Sequence, residues 1–91
     1  MTIPKLGQLV LVSWVDIQTD HSWAASNAAL GPAKCMTAGY VTSTDDASIT
    51  LAACVGQSIN AALEQEVNLR MCIPIGCITS WAPLRVGKTA K

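Results

Sequence analysis

Asp20, His21 and Ser22 stand side by side and supply the three residue types of a nucleophile–base–orienter triad. That chemistry needs a base reaching the nucleophile on one side and its orienting carboxylate on the other. Three consecutive residues do not converge that way. His21 is the only histidine, so a metal site built on two imidazoles is excluded. The cysteines, Cys35, Cys54, Cys72 and Cys77, are spaced by 19, 18 and 5 residues and contain no Cys-x-x-Cys knuckle. Asp45-Asp46 forms a carboxylate pair on paper, but adjacent aspartates are favoured in turns for backbone reasons and usually point apart. Gly31, Gly39, Gly56 and Gly76 are scattered, without the spacing of a phosphate-binding loop. The chain therefore reads as a non-enzyme with no cofactor and no metal.

Binding is better represented. Trp14, Trp23 and Trp81 fall in or beside the first strand, the first loop and the last strand of the expected fold. Aromatic side chains at such places bind peptides or stack on bases. In a chain without Phe, Trp14 and Trp81 also serve as ordinary core bulk. The candidate binding residues are Trp14, Asp16, His21 and Trp23 around the first loop, with Tyr40, Arg70 and Trp81. Arg70 is the first place to look for an anion or an acidic partner.

The elements that must hold these residues follow from periodicity. Residues 66–75 alternate, with Val67, Leu69, Met71, Ile73 and Ile75 on a face expected to be buried and Glu66, Asn68, Arg70 and Cys72 on the other. Pro74 and Gly76 end that strand, and residues 77–81 begin another. Residues 9–17 read as a first strand apolar on both faces, hence covered on both. In the connection 18–34, Ser22 is placed to cap a short alanine-rich helix over residues 23–30, stopped by Gly31-Pro32, with Trp23 anchoring the loop. A second strand spans residues 35–44, with Gly39 marking a bend or bulge. After the Asp45-Asp46 turn, residues 48–55 form a third strand, with Ile49, Leu51 and Ala53 inward and Ser48, Thr50, Ala52 and Cys54 outward. Residues 56–65 suit a helical turn or an extended loop. The expected fold is all-β: a small five-stranded barrel, Src-homology-3-like or Sm-like, with a long first loop carrying a short helix. A five-stranded oligonucleotide-binding barrel is the alternative. Residues 1–84 form one domain, and 85–91 a basic tail.

Composition limits the partners. Six basic and six acidic residues cancel, but Arg85, Lys88 and Lys91 lie in the tail, which leaves three basic against six acidic groups in residues 1–83. So little positive charge disfavours nucleic acid, whose non-specific affinity comes from neutralising phosphates. Charged residues make up 13% of the chain against an ordinary share of roughly 25%. A small domain with few charges often buries part of its surface against copies of itself, so a homo-oligomer is expected. The apolar run 9–15 is broken by Ser13 and followed by Asp16 without a small-residue cleavage site, and it is too short to span a bilayer. The expected setting is a host cytoplasm or a virion, without secretion or a membrane segment. Free, buried thiols fit a reducing compartment, although Cys72 also has the strand placement to meet Cys35 or Cys54.

Trp14-Val-Asp16 with Trp23, Cys35-x-Thr37-x-Gly39-Tyr40-Val41, Asp45-Asp46, Ile49-x-Leu51-Ala52 and Ile73-Pro74-x-Gly76-Cys77-Ile78 together resemble a group of small uncharacterised proteins of tailed bacteriophages. The resemblance covers residues 9–84 and departs in the alanine-rich first loop and the 56–65 connector. It implies a phage or prophage origin and carries over no catalytic residue. The expected function is a phage-type binding and assembly module acting by protein–protein contact with phage or host proteins. Alternatives are a virion accessory protein, in capsid decoration or at the head–tail junction, and a small-ligand or nucleotide binder of the anti-defence kind.

Overall fold

The computed structural model describes residues 2–56 and 66–85. The connector over 57–65 and the tail over 86–91 lie outside the described residues, and with them the choice between helix and loop in the connector. The chain forms β1 (Leu9–Asp16), β2 (Ala33–Thr44), β3 (Ser48–Val55), β4 (Val67–Pro74), a 3-10 turn (Ile75–Cys77) and β5 (Ile78–Pro83). All five strands join one antiparallel sheet in the order β4-β3-β2-β1-β5.

Chain length forces this sheet to curl. Laid flat, five strands would separate β4 from β5 by four spacings, about 19 Å. Four residues from Pro74 to Ile78 span at most about 14 Å. The edges must therefore swing toward each other, and Ile73 and Ile78 accordingly share one core with Val10, Val12, Val41, Ile49 and Leu51. Trp14, Ile75, Cys77 and Trp81 pack around that core. Gly39 permits the bend. A Cβ there would stand 3.1 Å from both the Ala52 carbonyl oxygen and the Leu51 Cβ, so β3 lies tightly against this glycine and a larger residue would push it back. The expected bulge lies further along, between Val41 and Ser43.

Curling does not reach closure. β4 and β5 remain the two edges of an open sheet, and the expected barrel is corrected to that extent. Pro74 and Pro83 end the two edge strands without an N–H to offer, and β5 is only six residues long.

Further expectations are overturned. The first loop has no helix: residues 17–32 are irregular and exposed throughout, with one turn closed by the Ala28 N–H on the Ala25 carbonyl (2.9 Å). The Asp20 carboxylate accepts from both the Ser22 N–H (2.9 Å) and its Oγ (2.6 Å), so Ser22 does not cap a helix. These two bonds hold the Asp20 carboxyl below its usual range, the Ser22 hydroxyl contributing most. Trp23 is fully exposed and anchors nothing. The buried face of β4 shrinks to Ile73, with Leu69 67% and Met71 40% exposed. On β3, Ala53 is exposed and the outward Ala52 is buried.

Asp45 does the turn work expected of it. Its Oδ1 accepts from the N–H groups of Ala47 and Ser48, each at 2.7 Å, which sets the register of the β2–β3 hairpin and lowers the carboxyl's pKa. The lead-in is also structural. Gly7, at φ 80°, lets residues 2–8 turn so that its N–H reaches the Val41 carbonyl (2.7 Å), and Pro4 is buried.

Candidate functional site

The expected binding residues do not converge on one surface. Trp14 is half-buried on β1, where its Nε1–H donates to Thr37 Oγ1 (2.9 Å). Trp81 is half-buried on β5, where its Nε1–H donates to the Thr2 carbonyl (2.6 Å). Both indoles lie against the core with their one polar atom satisfied, which is how a buried tryptophan supports a small fold. Asp16 closes β1, and its Oδ1 accepts from the Ile17 N–H (2.8 Å). His21 and Trp23 sit on the exposed first loop, away from both core indoles. At the base of this loop, Val15, Ile17, Leu30, Pro32 and Cys77 line a shallow hollow of about 430 Å³.

Tyr40 and Arg70 are brought together. In the β2–β3 ladder Tyr40 stands opposite Ala52, and in the β3–β4 ladder Ala52 stands opposite Arg70. Directly paired residues project from the same face, so tyrosine, alanine and arginine form one row across three strands on the outer face. Around this row, Leu6, Tyr40, Thr42, Ser43, Thr50, Val67 and Arg70 contribute to a cleft of about 650 Å³.

The edge of β4 carries a second arrangement that periodicity alone misassigned to the core. Leu69 has φ 54°, a left-handed conformation rare for a branched side chain, and the Asn68 Oδ1 accepts its N–H (2.7 Å). Its position drops out of the pairing register, which passes from Ala52–Arg70 to Cys54–Asn68. Beside it, Met71 receives a contact from Thr37 Oγ1 at 3.5 Å, the same oxygen that Trp14 donates to. The Asn-Leu pair was the available sequence signal, since asparagine bonds readily to its own backbone neighbours.

All four cysteines are free thiols, and Cys54 and Cys72 are exposed, contrary to the expectation of buried ones. Cys72 faces Thr50 across the ladder, and the hydroxyls of Ser48 and then Thr50 hold its thiol below the usual range, against weaker desolvation and repulsion from Asp45. The thiolate is the nucleophile. Iodoacetamide should therefore label Cys72 before Cys54, with a pH midpoint below that of a free thiol. In S48A/T50V the preference should vanish. Equal labelling of the two cysteines in the unmodified protein, read by peptide mass spectrometry, would refute this.

Among the described residues no three His, Cys, Asp or Glu side chains group to hold a metal ion, and no helix is long and apolar enough to cross a membrane. Comparison with protein-family models, curated proteins and solved structures finds no match to this chain.

Proposed function

We propose that this protein is a non-enzymatic binding and assembly module of phage type that acts by protein–protein contact as a homo-oligomer. The carrying observation is the β4 edge, which has no strand beyond it among the described residues and presents a strained, exposed Leu69 beside Met71. Left-handed leucine costs roughly 1–3 kcal/mol, and such strain concentrates at functional sites. An open edge with apolar side chains is also the feature that recruits another strand. Among the described residues β5 is the opposite edge of the sheet. Pairing β4 of one copy with β5 of the next is heterologous and generates a ring or a filament.

The sheet is on this reading an opened form of the Src-homology-3-like or Sm-like barrel. The strand order and the 3-10 turn between the fourth and fifth strands support that assignment. Phage origin rests on the resemblance of residues 9–84. The low charge of the body supports self-association over binding to nucleic acid.

Size-exclusion chromatography with light scattering tests the proposal. The protein should elute at a multiple of its 9.5 kDa mass, and L69K/M71K should reduce it to the monomer with an unchanged circular dichroism spectrum. A monomeric unmodified protein at micromolar concentration would overturn the reading.

A further inference from the structure

We infer that the outer-face cleft across β2, β3 and β4 binds a small organic anion, a phosphate or carboxylate carried on a flat apolar body, with Arg70 as its cation. The inference does not depend on the oligomer, because every residue it uses belongs to one protomer.

The placement is a consequence of register. Tyr40 and Arg70 flank Ala52, the smallest side chain that still fills the row, so that ring and guanidinium stand two strand spacings apart, about 10 Å between Cα atoms. Ala52 between them is completely buried, and the apolar part of the cleft lining comes from Leu6, Val41, Val55 and Val67. The cleft volume, about 650 Å³, lies within the roughly 300–1,000 Å³ of small-ligand sites.

The chemistry of the lining selects the ligand. Among the described residues Arg70 is the one charged residue that lines the cleft, and no carboxylate pairs with it. A guanidinium presents a planar fork of donors that fits phosphate and carboxylate bidentately. Two of the lining hydroxyls are already committed: Thr42 Oγ1 donates to the Thr50 carbonyl at 3.4 Å, and the Thr50 hydroxyl is turned to Cys72. Tyr40 and Ser43 keep theirs available to donate to the same anion. The Tyr40 ring and the Leu6 and Val67 side chains then supply apolar surface for the rest of the ligand. A polyanion is the wrong partner. With three basic against six acidic groups in residues 1–83, only a ligand small enough to meet Arg70 alone avoids repulsion from the rest of the body.

The test is titration of the full-length, isotope-labelled protein with phenyl phosphate, benzoate and inorganic phosphate, followed by amide chemical shifts. Shifts should centre on Tyr40, Ser43 and Arg70, with phenyl phosphate or benzoate binding more tightly than inorganic phosphate. Losing a charge-assisted hydrogen-bonding partner should weaken binding by R70A about 10- to 100-fold. R70K, which keeps the charge and loses the fork, should fall between R70A and the unmodified protein, and it holds the test open if R70A folds poorly. Saturable binding of phenyl phosphate alone assigns a phosphate, and of benzoate alone a carboxylate. No shift at these residues with any probe at millimolar concentration would overturn the inference. So would undiminished binding in both Arg70 variants, or inorganic phosphate binding as tightly as the aromatic probes.

Discussion

I73A should lower the free energy of unfolding by about 2–5 kcal/mol, the range for truncating a buried isoleucine to alanine. For this chain that loss is severe, because domains carry only about 5–15 kcal/mol in total and small ones sit at the low end. Ile73 is the sole residue of β4 whose side chain is buried, at 1% exposure. It pairs with Ile49 across the β3–β4 ladder and joins the cluster that contains Ile78 of β5. Ile73 is therefore the one β4 side chain that ties the strand's ladder into the buried core. M71A, two residues away on the same face and 40% exposed, should cost about 1 kcal/mol or less, since only part of its area leaves water on folding. Urea unfolding at a single protein concentration measures both. Equal midpoint shifts for I73A and M71A would show that β4 is not held as described.

The contrast between Ile73 and Met71 also marks how far the sequence could be read. Alternation places both on one face, and the structure agrees that they share it. Alternation is silent about what covers that face, and at the edge of an open sheet the answer changes between adjacent pairs: Ile73 meets the core and Leu69 meets solvent. The strands themselves were legible from period-2 patterning or, in β1, a continuous apolar run, bounded by turn residues, and β3 matches its expected bounds of 48–55. The first loop was not. Eight alanine-rich residues are too few to offset helix nucleation without packing, and Asp20 takes the Ser22 groups that would have started the cap. The same lack of packing leaves Trp23 in solvent. Barrel closure was also beyond reach, because it depends on a β4–β5 ladder between strands whose proline ends withhold donors. Tyr40 and Arg70 were each identifiable as candidates. Their alignment over Ala52 was not, since it needs the registers of two ladders, one of them set by Asp45 at the hairpin.

Substituting Leu69 separates stability from assembly, and two variants make the separation measurable. Asparagine adopts the left-handed conformation more readily than leucine, so L69N relieves backbone strain while removing the apolar side chain. L69A removes the same side chain and keeps the strain. At 67% exposure the side chain itself contributes little to folding of the protomer, about 1 kcal/mol at most. L69N should therefore leave protomer stability unchanged or raise it slightly, and should exceed L69A by up to about 1 kcal/mol, the part of the left-handed cost that asparagine avoids. If the proposed assembly through the β4 edge holds, both variants should shift the protein toward monomer alike, because both delete the apolar group exposed there. The comparison is best made by light scattering for assembly and by urea unfolding below the concentration at which copies associate. If L69N were less stable than L69A, the left-handed backbone would not be strained. If both retained full assembly, the β4 edge would not be the contact, and the exposed loop bearing Trp23 would be the next surface to alter. Leu69 combines a left-handed backbone with an exposed apolar side chain at the sheet edge, and the pair L69N and L69A tests whether a second copy uses it.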